Sequence, residues 1–425
     1  MSGLNHNPNR RVNPPGNVST VGVSSLVWLV AIFWLLPVTG QAQQPEPAQG
    51  QEKLKTPATS ATKTAGDWPI ERADPQSTGA TTSEVGDAFE IAWEFKYPKG
   101  AFESSPIVVT QEGKPTVFAA GIDTNVKGKL FSIDLESGQP NWEFETEEGF
   151  VSSPAWHDNR VFVGDLYGKI YCLDARRGEL LWTFEAKAEI SSGGNFYQSL
   201  VLFGSHDATL YALDQKTGEL KWSHAIDDQI QCGVSVAKDR CFLAGCDSKL
   251  HIIDLTQKKE EKPQVVEIIS PTGCTAAVLD GHAFFGSEEG VFYSINVATP
   301  EIKWQWSDPA GATSIRSAAA LTAERVVFGA RNRRINCLDP DDGELLWSTK
   351  VKARVDASPV IAGKRVFAGS TDGRFYVLDL ADGSILWQKQ FNGSIYGSAA
   401  VYGGEQPRLV LATERGTVYC LKPIN

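Results

Sequence analysis

From residue 102 to the C-terminus the apolar residues fall in short alternating runs rather than in a helical stripe. In VSSPAWHDNRVFVGDLYGKIYCLD (151–174) and VDASPVIAGKRVFAGSTDGRFYVLD (355–379), three such runs are divided by Gly, Asp and Asn. Period-two alternation, β-branched and aromatic enrichment and a spacing of about 8–12 residues predict strands joined by tight turns. No amphipathic pattern of useful helical length follows residue 90, so the pattern predicts an all-β chain.

A fourth run follows each set of three and carries a repeated unit. YCLDARRGELLW (171–182) recurs as FSIDLESGQPNW (131–142), YALDQKTGELKW (211–222), NCLDPDDGELLW (336–347) and YVLDLADGSILW (376–387), with YSINVATPEIKW (293–304) a weaker copy. HIIDLTQKKEEKPQVVEII (251–269) has lost both glycine and tryptophan, and VYCLKPIN ends the chain before its tryptophan strand begins. Four strands in roughly 42 residues is the size of a propeller blade. Eight units follow Phe102, the last without its outer strand, while IAWEFKY (91–97) resembles NWEFET and LLWTFEA. The expected fold is therefore an all-β, eight-bladed β-propeller of four-stranded antiparallel blades, its ring closed by the N-terminal strand 91–97. Such closure removes two exposed sheet edges.

The repeat also assigns roles. Asp174 is placed to cap the hairpin turn, and Gly178 to supply the positive φ the turn requires. Gly138, Gly218, Gly343 and Gly383 occupy the same slot. Trp142, Trp182, Trp222, Trp304, Trp347 and Trp387, with Trp93 in the closing strand, are expected to cover the joints between blades. Cys172, Cys337 and Cys420 share a slot filled elsewhere by Ala212, Ser132 and Ser294, which argues for packing rather than reactivity. Cys232, Cys241, Cys246 and Cys274 complete the seven thiols, all expected to be free. His157, His206, His224, His251 and His282 lie in different units without metal-ligand spacing. No catalytic, metal-binding or cofactor-binding residue is assigned.

The first ninety residues are of another kind. Arg10 and Arg11 precede an apolar run from Val21 to Val38, with Gly40 and Ala42 at −3 and −1 of a cleavage site, the pattern of an export signal over 1–42. An uncleaved anchor is the alternative for a run of this length. Residues 43–66 are rich in Pro, Ala, Thr, Gln and Lys and predict a disordered linker, leaving 67–425 as the propeller.

The complete A-L-D-x-x-T-G-x-x-x-W of Ala212–Trp222 resembles the tryptophan-docking motif of pyrroloquinoline-quinone-type propellers, and DWPIERADPQSTGA (67–80) is similar to the segment preceding their first blade. One branch of that family implies a quinone dehydrogenase, with the cofactor in the funnel under a disulfide of adjacent cysteines, beside calcium and a catalytic aspartate. No two of the seven cysteines here are adjacent. The other branch resembles the BamB scaffolds of outer-membrane protein assembly. It implies a noncatalytic, exported protein of the periplasm or cell envelope that binds a protein partner, such as a β-barrel assembly component. That branch is typically lipid-anchored, whereas no cysteine precedes Cys172.

Charge adds one candidate surface. The net charge of −11, or −13 without residues 1–42, disfavours nucleic acid and anionic membrane as partners. On the face carrying the second-to-third-strand turns, Asp165, Asp207, Asp247, Glu288 and Glu289 predict an acidic half-ring. Arg331, Arg333 and Arg334, with Lys350, Lys352 and Arg354 in the next link, predict a basic sector at blades six and seven. Arg331, Arg333, Arg334 and Arg354 are accordingly the candidate partner-binding residues.

Overall fold

The computed structural model describes residues 66–256 and 263–424. The expected signal segment 1–42 and nearly all of the linker 43–66 lie outside the described residues. The described chain forms eight sheets in the sequential order of a propeller. Blade 2 shows the plan: Ala155–His157 innermost, then Arg160–Gly164, Lys169–Asp174 and Leu180–Glu185, each antiparallel to the last. In the third strand, Ile170, Tyr171, Cys172 and Leu173 are all buried, because both faces of a blade pack against neighbours. The lower face carries the inner-to-second and third-to-outer turns. The upper face carries the second-to-third turns and the links to the next blade.

Blade 8 is made from both chain ends. Ala400–Tyr402, Arg408–Thr413 and Thr417–Pro423 are completed by Phe89–Lys96, paired from Phe89↔Pro423 to Lys96↔Thr417. The closing strand thus starts two residues before, and ends one before, the expected 91–97. Tyr97 leaves it because its ring turns inward against Phe102 and Phe131, 5.9 and 5.1 Å between centroids.

The repeated dodecapeptide acts across the joint between blades. Asp174 accepts the N–H groups of Arg176 and Arg177, both at 3.0 Å, and Gly178 has φ 69°. Five of the tryptophans, Trp93, Trp142, Trp182, Trp304 and Trp347, lie on the turn glycine of the following blade. Trp142 donates its indole N–H to Ala175 O at 3.1 Å, Trp182 to Gln215 O at 3.1 Å, Trp304 to Pro340 O at 3.0 Å and Trp347 to Leu380 O at 3.0 Å. Trp93 of the closing strand donates to Leu135 O at 2.7 Å, so the seam uses the same device. The ring covers the turn glycine itself. A Cβ on Gly178 would stand 2.6 Å from Trp142, one on Gly218 2.6 Å from Trp182, and one on Gly138 2.7 Å from Trp93. The glycine therefore answers two demands, positive φ and contact with the neighbouring indole.

The degenerate joint follows the same logic. Gln264 pairs with Ile252 and so occupies blade 4's tryptophan slot. In blade 5, Asn296 caps the turn through the N–H groups of Ala298 and Thr299, and Pro300 stands four residues on, in the glycine slot. With no indole arriving from blade 4, nothing excludes a side chain there. Arg240 of blade 4 instead donates to Val297 O at 3.1 Å, the carbonyl that an indole would have used. One joint earlier, Trp222 has no acceptor for its indole N–H among the described residues.

Trp142→Ala should cost about 3–5 kcal/mol. Gly178→Ala should cost about 3 kcal/mol through strain at positive φ and overpacking. Because the two share one contact, Gly178→Ala in the Trp142→Ala background should cost only about 1 kcal/mol, the backbone part. Chemical denaturation of the four proteins checks this, and additive losses would contradict the docking geometry.

Candidate functional site: the axial channel and the upper face

Eight inner strands surround the axis, and each turns a free edge toward it. Such an edge needs hydrogen-bond partners. Residues 66–83 supply them. Trp68 exchanges two backbone bonds with Val108 of blade 1, at 2.7 and 3.0 Å. Pro69 O accepts from Trp156 N of blade 2 at 2.8 Å, Pro75 O from Val236 N of blade 4 at 2.6 Å, and Gln76 O from Val278 N of blade 5 at 2.8 Å. Thr78 O accepts from Leu321 N of blade 6 at 2.8 Å, and Gly79 O from Ile361 N of blade 7 at 2.9 Å. In blade 3 a side chain relays the contact: Phe196 N donates to Asn195 Oδ1 at 2.7 Å, while Asn195 Nδ2 donates to Pro75 O at 2.8 Å. Blade 8 joins through Gly403 N to Gly66 O at 3.0 Å. The segment thus circles the channel and touches every blade before it leaves for the closing strand.

Two side chains of this segment point across the axis in opposite directions. Arg72 is 3% exposed and reaches blades 6, 7 and 8. It donates to Ala319 O at 2.9 Å, Pro359 O at 2.8 Å and Ser398 Oγ at 3.1 Å, while its Nε has no partner. Glu71 faces blades 1 to 3, meeting Ser105, Ser153 and the backbone N–H of Gly193.

The placement of Glu71 is explained by a girdle of hydroxyls just above the inner strands. Ser105 N donates to Ser153 Oγ, Gly233 N to Thr275 Oγ1, Ala318 N to Ser358 Oγ and Ser398 N to Ser105 Oγ, at 2.8–3.0 Å. Blades 3 and 4 have Gly193 and Gly233 at this position, so Gly193 N finds no hydroxyl in the next blade. The Glu71 carboxylate serves it instead. A Cβ on Gly193 would lie 3.1 Å from Ser153 O and 3.6 Å from Glu71 Oε2. Burial pushes the Glu71 carboxyl above its ordinary 4.5, against the pull of Arg72 and these hydrogen bonds.

One position earlier in each blade, Ser152 and Ser317 donate to Gly164 O and Gly329 O at 2.8 and 2.9 Å. Cys232 and Cys274 fill that serine slot and bond to Ala244 O and Gly286 O. All seven cysteines are free, and burial pushes the Cys172 and Cys241 thiols up to about 12, which suits packing and not nucleophilic chemistry.

On the upper face, three of the acids expected to form a charged half-ring, Asp165, Asp207 and Asp247, are drawn into their own turns, while Glu289 stays exposed. Asp165, 1% exposed, accepts from Tyr171 Oη at 2.9 Å and Asp207 from Tyr211 Oη at 2.6 Å, while Asp247 pairs with His251 Nε2 at 2.8 Å. Glu288 is bound to Arg316 at 2.7 Å and Ser314 Oγ at 2.8 Å. Sequence alone marks these residues as loop acids but does not show which way their side chains turn.

The basic candidates are brought together unevenly. Arg331 grips Asp356 with two bonds, 2.9 and 3.0 Å, and Arg354 meets the same carboxylate at 3.2 Å. Arg334 reaches Ser348 Oγ at 3.1 Å. Arg333 sits exposed at a turn with φ 65°, and Lys350 and Lys352 are exposed beside it. None of these three has a carboxylate within salt-bridge distance among the described residues.

The pocket beside the axial segment does not fit a pyrroloquinoline quinone. That pocket, lined by Glu71, Arg72, Gly193, Gly233 and Thr275 among others, has a volume of about 20 Å³. That admits one water, whereas cofactor-sized ligands occupy pockets of roughly 300–1,000 Å³. No group of three metal-ligating side chains occurs among the described residues, and no helix among them is long and apolar enough to cross a membrane.

The dodecapeptide, its cross-blade docking and the eight-sheet ring define a propeller of the pyrroloquinoline-quinone repeat class. The profile of the family described as outer membrane protein assembly factor BamB matches residues 126–264 and 207–425, and the chain belongs to that family. BamB from Moraxella catarrhalis is similar in structure, with a TM-score of 0.61 and 15% identity over 79% of this chain and 100% of that one. A europium-containing methanol dehydrogenase has a TM-score of 0.68 and 13% identity over 85% of this chain and 98% of that one. The quinohemoprotein alcohol dehydrogenase from Comamonas testosteroni has 0.70 and 13% over 85% and 81%. At these identities the likeness is one of fold, which noncatalytic and catalytic proteins share. No curated protein matches the chain.

Glutamate 71 gives a pH test. Its folded pKa is raised, so the folded state keeps a proton that the unfolded state loses above about pH 4.5. This contribution to stability is present at low pH and declines as pH rises from 4.5 toward the folded pKa. Glu71→Gln removes the titration, so its melting temperature relative to wild type should rise across that window and then level. A difference that stays constant from pH 4 to 8 would contradict the assignment.

Proposed function

We propose that this protein is a noncatalytic binding scaffold of the cell envelope that captures an acidic segment of a protein partner on its upper face. Outer-membrane protein assembly is the specific form of that role. The reading rests on the island formed by Arg333, Lys350 and Lys352, three exposed cations without carboxylate partners among the described residues, in a chain of net charge −11. Arg331 and Arg354 flank it, already oriented by Asp356. A rigid face with pre-positioned guanidinium groups favours forked contacts to carboxylates and steers an acidic partner into register. Membership of the family described as outer membrane protein assembly factor BamB supports a scaffold rather than a dehydrogenase.

Reversing the charge at Arg333, Lys350 and Lys352 leaves the Arg331–Asp356 pair intact. The triple variant should lose partner capture from cell-envelope extracts by roughly 10-fold or more, and wild-type capture should weaken as salt is raised. Equal recovery of the same partner by both proteins would remove this face from the account.

A further inference from the structure

The segment 66–83 touches the ring as a ligand touches a receptor. It has no helix, and its one short strand, Ala80–Thr81, runs parallel to Val360–Ala362 of blade 7. Its shape is set by four residues at positive φ, Gly66, Ala73, Ser77 and Gly79, at 116°, 72°, 59° and 59°. Its partners come from all eight blades. The contacts are of two kinds. Main-chain carbonyls take one inner-strand N–H from each of six blades, which any extended peptide of the right curvature could do. Arg72 makes the contacts that depend on side-chain identity, spreading its fork over Ala319 O, Pro359 O and Ser398 Oγ. Gly79 is matched to it, since a Cβ there would run into the guanidinium. Asp67 adds an end cap, accepting Thr110 N at 3.0 Å and Thr110 Oγ1 at 2.8 Å.

We propose that the axial channel is a peptide-binding site whose ligand is the chain's own segment 66–83, with Arg72 as the residue that selects it. Three carbonyl or hydroxyl oxygens from three blades converge on one buried guanidinium. That arrangement is a receptor for a cation with planar, diverging donors; lysine, with a compact ammonium, cannot span it. While the segment is seated, the pocket beside Glu71 and Arg72 has room for one water. The inference stands apart from the identity of any partner on the upper face, because it concerns the inner edges of the blades.

The test makes the ligand noncovalent. A site for a specific protease is inserted directly after Thr82, an exposed residue at the start of the crossing from the channel to the closing strand, in the otherwise full chain. After cleavage, the fragment carrying 66–82 should co-elute with the propeller in size exclusion. In the Arg72→Ala protein it should be released at least ~10-fold faster, with Arg72→Lys close to alanine, because charge-assisted hydrogen bonds to buried oxygens are lost. A second arm titrates pyrroloquinoline quinone with calcium into the uncut wild type and reads its absorbance, with no binding expected. Immediate loss of the fragment from cleaved wild type, equal retention by Arg72→Ala, or stoichiometric quinone binding to the uncut chain would each overturn the proposal. The cleaved wild type carries no substitution at Arg72, so the first arm does not depend on whether an Arg72 variant folds.

Discussion

An inner strand of a propeller has one paired edge and one edge facing the axis, and eight such edges leave a ring of backbone N–H groups around a channel. In a wide channel water satisfies them. Here the chain does so itself, with a peptide that gives one carbonyl to each of six blades, a relay through Asn195 to a seventh and a turn contact to the eighth. The same stretch continues outward as the closing strand Phe89–Lys96. Residues 66–96 therefore hold the ring at both radii, by the inner edges at the axis and by the seam at the rim. Ring closure and channel closure thus share one continuous stretch of chain.

Between these radii the blades are joined by a second device, the indole of one blade lying on the turn glycine of the next. Its economy is visible where it fails. Gln264 replaces the tryptophan of blade 4, and the turn it would have covered has Pro300 in place of glycine. The carbonyl an indole would have met is taken by Arg240. At the joint between blades 4 and 5 the tryptophan and the glycine it would cover are both absent, and blade 4's own repeat has lost its glycine as well.

Most of the architecture was legible in the sequence because it repeats. Five near-complete copies of one dodecapeptide expose the strand order, the turn chemistry and the odd copy out, and IAWEFKY betrays the closing strand by likeness to its sisters. What repetition does not carry was not legible. DWPIERADPQSTGA has no sister copy, and its bonds run from main-chain carbonyls to residues up to hundreds of positions away, so nothing in its side chains reports them. That Gly178 serves Trp142 rather than Trp182 is likewise a fact of three dimensions. The acids at Asp165, Asp207 and Asp247 were visible as loop residues, but the tyrosine and histidine partners that turn them inward depend on strand register. At blades 6 and 7, Arg333, Lys350 and Lys352, which lack such partners among the described residues, keep their charge toward solvent.

The plugged channel moves function outward. With the axial segment seated, the surfaces left open are the two faces and the rim, and the upper face at blades 6 and 7 carries Arg333, Lys350 and Lys352 without carboxylate partners among the described residues. This rests on the axial segment being seated in solution. Hydrogen exchange in the full-length protein tests that most directly, at the amides of Trp156, Val236, Val278, Leu321 and Ile361. Each faces the channel and has its acceptor in residues 66–83. Protection comparable to that of the ladder amides within the blades is the predicted result. Exchange of these five at solvent-exposed rates, while the ladders remain protected, would contradict it.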